Sequence, residues 1–265
     1  MNNKTNQFWE IAALISAEML LSLILFAAGM AVVVFLTRKK LRKYKYIDLA
    51  IFDRLQPLVN LQLNRIMLFF TFLGKHQFLI PANLFIVFYF LVISKHSWFS
   101  IRSAAIALSS LGLMFLLKYL FRRKRPLAPL LNAVKGLSFP SGHAIMAVTF
   151  YGFIIYILFH TVSPGGVRIF FTVLLVILIL FIGFSRIYLR VHYASDVLSG
   201  FIIGLLWLSI SLAVLYSIEH YFKEKGASSV IDKNKTAVTG PFLKCDRNEI
   251  PAIFSQYTSV VPGSI

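Results

Sequence analysis

Residues 185–196 read SRIYLRVHYASD and set Arg186, Arg190, His192 and Asp196 at the join between two apolar runs. Asp196 is the only acidic residue between Asp53 and Glu219. An ionisable group at membrane depth is costly and marks function. Positions i and i+4 share a face when the chain is helical. On that geometry Asp196 holds one imidazole nitrogen of His192 and leaves the other free to attack an electrophile.

Two further stretches supply what such a nucleophile needs. KYLFRRKRP, residues 118–126, brings Lys118 and Arg125. With Arg186 they make three fixed cations suited to a dianionic phosphoryl group, and arginine adds bidentate hydrogen bonds to its oxygens. FPSGH, residues 139–143, turns from loop to helix. Pro140 breaks the approach, Ser141 is a good N-cap, and Gly142 lets a ligand approach the backbone. His143, on the first turn, can donate a proton to a leaving oxygen. Taken singly, each cation reads better as a side chain snorkelling from a helix end, and His143 equally well as an interfacial histidine on a capped helix. Arg122, Arg123 and Lys124 read as headgroup contacts.

Taken together, the residues describe attack by neutral His192 on phosphorus to give a phosphohistidine, with the cations stabilising the equatorial oxygens. Water then attacks, and His143 serves as base. A metal site of two histidines and one aspartate is the competing reading. Three neighbouring cations oppose a divalent ion, so no metal or other cofactor is expected.

The elements that must position these residues are membrane helices. The chain has 265 residues, 58% hydrophobic and 14% charged, with mean hydropathy +0.77. That excludes an ordinary soluble domain. The net charge of +17 suits an anionic partner. Nucleic acid is not expected, because many basic residues lie beside apolar spans. Cys245 is the single cysteine, which excludes an internal disulfide and a multi-cysteine metal site.

The pattern predicts an all-α polytopic bundle of six transmembrane helices with short interfacial helices. The first span covers residues 11–36, read as a retained segment and not a removed signal peptide. It is apolar except for Glu18, which either pairs with a basic group in the bundle or sits near an interface. RKKLRKYK, residues 38–45, follows, with six basic residues that grip anionic lipid. Residues 47–77 carry too many polar groups to span and read as amphipathic surface helices broken near Pro57. A five-span catalytic core occupies 78–216, with spans at 78–94, 103–121, 143–159, 169–187 and 194–216. KHSWFSIR reads as a turn between the first two of these. Residues 217–265 read as a polar, flexible tail. Alternating directions put the ends carrying Lys118, Arg125, His143, Arg186 and Asp196 on one membrane face.

At these residues the chain resembles the type-2 phosphatidic acid phosphatase family, which also includes glucose-6-phosphatases and vanadium haloperoxidases. The family signature is Lys-x6-Arg-Pro, then Pro-Ser-Gly-His, then Ser-Arg-x5-His-x3-Asp. It stands here as Lys118 to Arg125-Pro126, Pro140-Ser141-Gly142-His143, and Ser185-Arg186 to His192 and Asp196. The resemblance covers roughly the third to sixth spans. It implies a six-helix core and metal-independent phosphomonoester or pyrophosphate hydrolysis. It also implies His192 as nucleophile, Asp196 as its partner and His143 as acid and base, with Lys118, Arg125, Ser141, Gly142 and Arg186 on the phosphate.

The expected activity is that of a lipid phosphate phosphatase in the bilayer. Candidate substrates are phosphatidic acid, phosphatidylglycerol phosphate and a polyprenyl diphosphate such as undecaprenyl diphosphate. Phosphotransfer from the same intermediate to a lipid or sugar is one alternative, and non-catalytic anion or lipid transport is another. Sidedness draws two opposed expectations. The excess of Lys and Arg on the active face points to the cytoplasm. The resemblance implies an extracytoplasmic site with cytoplasmic termini, and phosphate binding gives those cations another reason to exist.

Overall fold

A computed structural model describes residues 46–126, 130 and 136–238, with side chains through 223. The first span, Glu18, the basic run 38–45, Lys135 and the segment 239–265 with Cys245 lie outside the described residues. The chain divides into two compact units, Met1–Leu215 and Tyr216–Ile265. The described residues are helices and short connections, with no strand among them.

In the first unit, α1 covers residues 46–55. It ends in a 3-10 turn, Gln56–Leu58, with Pro57 at its start. Proline lacks the N–H that would continue the ladder, so the chain breaks there and restarts. α2, Leu61–Leu73, is capped by Asn60, whose side chain accepts the Leu63 N–H at 2.8 Å. Its buried residues, Met67 and Thr71, are one turn apart. α3, His76–Phe88, runs on through a π turn, Tyr89–Ile93. α4 is Ser97–Phe121, α5 is Gly142–Thr161, α6 is Gly166–Tyr188 and α7 begins at Ala194.

Five of these helices are long and apolar enough to cross a membrane: α3 with its π turn, α4, α5, α6 and the Ala194–Lys223 part of α7. The sixth expected span is the one outside the described residues. α5 is the central helix. Its apolar window is 56% buried, against 11% to 28% for the other four. It packs on α4 and α6, while α2 packs on α6 and α3 on α4. The outer faces carry large apolar side chains such as Leu108, Ile169 and Phe170. Such faces need a hydrocarbon solvent, and the protein is a multi-pass membrane protein.

Close approach at the centre depends on Gly200 and Gly204. A Cβ at Gly200 would lie 2.8 Å from the Ala144 Cβ and 2.9 Å from the Ser141 carbonyl oxygen. One at Gly204 would lie 3.0 Å from the Val148 Cβ. Small residues one turn apart let two membrane helices meet backbone to backbone. Here they seat α7 against the start of α5.

Two boundaries differ from the sequence expectation. α4 starts at Ser97, not near 103, so most of KHSWFSIR is helical. Its polar groups find partners in the interior. Ser100 Oγ donates to the Val87 carbonyl at 2.9 Å, and the Arg102 guanidinium donates to the Tyr156 hydroxyl at 2.9 Å. Arg102 also lies 5.5 Å from the Tyr156 ring centre, a cation–π contact that makes burial of the charge tolerable. At the other end, α7 continues past 216 to Val238. In the second unit Glu219 and Lys223 pair one turn apart at 2.6 Å, which suits a helix leaving an apolar environment.

Candidate active site

Three connections converge at one end of the first unit: α4 to α5, α6 to α7, and α2 to α3. The ends of α4, α5, α6 and α7 meet there as span parity requires. Lys118, one turn from the end of α4, donates to the Leu137 carbonyl at 3.0 Å. The Ser141 N–H donates to the Asp196 carbonyl at 3.1 Å. Arg125 donates to the Val191 carbonyl at 3.0 Å and stands 3.4 Å from His192 Nε2. A Cβ at Gly142 would meet Met114 Sδ and come within 3.9 Å of Lys118 Cε.

His192 lies in the α6–α7 connection, two residues before α7 begins, and only 1% of it is exposed. Its Nδ1 is 2.7 Å from the Ser138 main-chain carbonyl. A carbonyl only accepts, so Nδ1 carries the proton and Nε2 carries the lone pair. The direct Asp196–imidazole contact expected from the sequence is replaced by an indirect one. Asp196 Oδ2 is 3.8 Å from Nδ1, beyond hydrogen-bond reach. The physical reason is local: His192 precedes the helix, so the i and i+4 positions do not stack. Asp196 Oδ2 instead accepts from Ser138 Oγ at 2.5 Å and from the Tyr193 N–H at 3.0 Å. It thus holds both segments that shape the imidazole's seat.

The other oxygen of Asp196 faces Arg123, a residue read from sequence as a headgroup contact. Arg123 Nη1 donates to Asp196 Oδ1 at 2.6 Å, and Nη2 donates to Asp48 Oδ2 at 2.9 Å. Asp48 is itself buried and accepts the Ser195 N–H and hydroxyl at 3.0 and 2.6 Å. The guanidinium lies 4.2 Å from the Tyr193 ring centre. Arg122 explains why the run of four cations splits. It caps α4 in the left-handed region, at φ 48°, and turns the next residue inward. Arg122 itself stays exposed over the Tyr119 ring, and Lys124 is exposed. The sequence reading missed Arg123, Asp48 and Ser138. The one sequence signal for Asp48 is its place one helical turn before Phe52, on a shared face that the structure buries.

Arg186 is positioned by α2. Its Nη1 donates to Thr71 Oγ1 at 3.2 Å. Thr71 and Ser185 share a hydroxyl bond of 2.7 Å, and Ser185 Oγ donates to the Ile182 carbonyl. Each oxygen therefore accepts from the group before it. The Arg186 main-chain carbonyl also accepts the Val191 and His192 N–H groups. Ser141 is the N-cap residue of α5, yet its hydroxyl makes no cap bond. Among the described residues Ser141 Oγ, His143 Nε2 and Arg186 Nε are buried with no partner. Buried polar groups are ordinarily satisfied. Three such groups at the end of the bundle that also holds His192 point to a polar ligand.

A cavity of about 880 Å³ opens onto His143 and Arg186. Its walls come from α2, the α2–α3 turn and the α6–α7 connection, including Leu68, Thr71, Lys75, Leu189 and Val191. Burial pushes the His192 imidazole down to about 4, with Arg125 and Arg186 adding to the effect and Asp196 opposing it. It is therefore neutral at physiological pH.

Known proteins resemble this chain in sequence and fold. The family model of the PAP2 superfamily matches residues 94–219. Phosphatidylglycerophosphatase B of Bacillus subtilis (strain 168) is 32% identical over 149 residues, which is 54% of this chain and 71% of that protein. The crystal structure of a transmembrane PAP2-type phosphatidylglycerolphosphate phosphatase from Bacillus subtilis superposes with a TM-score of 0.60 at 28% identity. The match covers 73% of this chain and 96% of that one. The crystal structure of Aquifex aeolicus LpxE gives 0.47 at 26% identity over 62% of this chain and 94% of that one. The chain belongs to the PAP2 superfamily, as a membrane-spanning, all-helical member of it.

Proposed function

We propose that the protein is an integral-membrane lipid phosphate phosphatase that hydrolyses a phosphomonoester or diphosphate through a phosphohistidine on His192. Membership of the PAP2 lipid phosphatase family supports phosphatase activity in general. The observation that carries the mechanism is the lone pair on His192 Nε2 at the end of the bundle where Ser141 Oγ, His143 Nε2 and Arg186 Nε are buried without partners.

Nε2 attacks phosphorus while the bond from phosphorus to the lipid oxygen breaks. His143 gives its proton to that oxygen, and the lipid alcohol or lipid monophosphate leaves. Lys118, Arg125 and Arg186, with the Ser141 hydroxyl and the Gly142 backbone, hold the phosphoryl oxygens as charge builds. Water then attacks the phosphohistidine and gives a proton to His143. The phosphorus–nitrogen bond breaks, inorganic phosphate leaves, and neutral His192 is restored. Both oxygens of Asp196 are engaged by Arg123, Ser138 and Tyr193, which leaves that carboxylate poorly placed to ligate a metal.

The activity named for the Bacillus subtilis relatives makes phosphatidylglycerol phosphate the first substrate to test, beside phosphatidic acid and undecaprenyl diphosphate. Phosphate release is measured in detergent with EDTA present, for wild type and His192→Ala. Release that survives EDTA and is lost in the variant supports the reading. Release abolished by EDTA, or retained by His192→Ala, defeats it.

The site is assigned to the extracytoplasmic face, with the termini in the cytoplasm. Lys118, Arg123, Arg125 and Arg186 turn inward to the site, so they do not count towards the positive-inside balance. In a Cys245→Ser background, Ser163→Cys should label only from the cytoplasmic side and Lys124→Cys only from outside. The reverse pattern overturns the assignment.

A further inference from the structure

The end of the bundle that holds His192 carries one more cation than a single phosphoryl group requires. Lys75 lies in the α2–α3 turn and lines the cavity together with His143 and Arg186. The turn is fixed against the catalytic helix. A Cβ at Gly74 would lie 2.6 Å from Ile182 Cγ2 and 3.1 Å from His143 Cδ2, so the backbone just before Lys75 is packed on the His143 ring. The Lys75 N–H is bonded to the Phe72 carbonyl, and its own carbonyl accepts from Phe78 and Leu79. Its half-buried ammonium has no hydrogen-bond or carboxylate partner among the described residues.

Charge counting makes this lysine unusual. Arg123 is shared by Asp196 and Asp48, so one carboxylate charge remains against Lys118, Arg125 and Arg186, and a phosphoryl dianion balances the rest without Lys75. Lys75 shares its cavity with Arg186 and His143, and His143 is the residue assigned above to protonate the leaving oxygen, which puts Lys75 on the leaving group's side. The leaving side of a phosphomonoester on a simple glycerolipid is uncharged. The leaving side of a diphosphate, or of a phosphomonoester joined through glycerol to a phosphodiester, carries a second phosphate.

We propose that Lys75 forms a subsite for a second phosphate on the leaving side, so that the enzyme selects lipids bearing two phosphate groups over those bearing one. The proposal rests on the phosphatase reading above. The apolar side chains of Leu68, Leu189 and Val191 along the same cavity would take the lipid portion.

The test compares kcat/KM of the full-length protein in detergent on phosphatidic acid, phosphatidylglycerol phosphate and undecaprenyl diphosphate. Wild type, Lys75→Ala and Lys75→Arg are run side by side. In Lys75→Ala the preference for two-phosphate over one-phosphate lipid should fall about tenfold, the usual scale for one charge-assisted contact, and Lys75→Arg should restore it. A fall for only one of the two-phosphate lipids supports the subsite and identifies the spacing it reads. An unchanged ratio, whether all rates fall together or none does, overturns it, since a lysine that only meets headgroups or supports the fold acts on every lipid alike. If wild type releases no phosphate from any of the three, the phosphatase reading itself has failed, and that outcome is distinct from an unchanged ratio.

Discussion

The Nδ1–H of His192 donates to the main-chain carbonyl of Ser138 at 2.7 Å. This one bond sets the tautomer of the nucleophile without an ionised partner. It also moves Asp196 one step back, because the carboxylate grips Ser138 Oγ and the Tyr193 N–H and not the ring. The machinery reads as a chain: Asp48 and Asp196 on Arg123, Asp196 on Ser138, and Ser138 on His192.

Asp196→Asn should therefore be less damaging than loss of a tautomer-setting group. The Ser138 carbonyl still fixes Nδ1–H, so kcat should fall about 10- to 100-fold, from loss of hydrogen bonds that seat the loop. Loss of the correct tautomer would cost about 10⁴-fold. Steady-state phosphate release separates the two, and a fall of the larger size shows that Asp196 acts on the ring directly.

Arg123 stands between two buried carboxylates. Removing one partner of such a group leaves uncompensated charge, at a cost of about 3–5 kcal/mol. Arg123→Gln should lower the thermal midpoint in detergent sharply. Adding Asp48→Asn should recover part of the loss, since one orphaned charge goes with it. Additive losses would show that the residues do not act as a unit.

The acid limb of kcat/KM should lie near the His192 value of about 4, not near 6.5. The sign follows from which form reacts. Only the neutral imidazole has a lone pair, and burial with Arg125 and Arg186 favours that form. Activity should hold as pH falls from 7 to about 5 and drop to half near 4. An acid limb at 6–7 would mean that His192 is solvated or is not the nucleophile.

Gly200→Ala should perturb chemistry from the second helix layer. The new methyl would sit 2.8 Å from the Ala144 Cβ and 2.9 Å from the Ser141 carbonyl, and neither backbone-fixed neighbour can rotate away. Overpacking of this kind costs about 1–3 kcal/mol. It displaces the start of α5, so kcat should fall along with thermal stability. Retention of both would show that α7 is not seated on α5 at this point.

The sequence made the frame of this site visible because its cues are local. Apolar run length placed the spans, and span parity placed Lys118, Arg125, His143, Arg186 and Asp196 at one end. Pro57 marked the break after α1. What stayed hidden depended on contacts across the bundle. Nothing in a run of Arg122, Arg123, Lys124 and Arg125 tells which guanidinium turns inward, because a left-handed backbone at Arg122 decides it. The i, i+4 spacing of His192 and Asp196 was suggestive, but helical spacing carries meaning only inside a helix, and α7 starts at Ala194. Ser138 was unreadable, since the atom that matters is its main-chain carbonyl. The start of α4 was misplaced because Arg102 resembles a boundary residue until Tyr156 is brought beside it.

The most direct test of this account is to trap the phosphoenzyme and locate its bond. Wild type and His143→Ala, in which the water step is slowed, are mixed with phosphate-labelled lipid, quenched in alkali and digested for mass spectrometry. An acid-labile phosphate on Nε2 of His192 is the expected result. Phosphate on Nδ1, on another residue, or on no residue while free phosphate is released would contradict it.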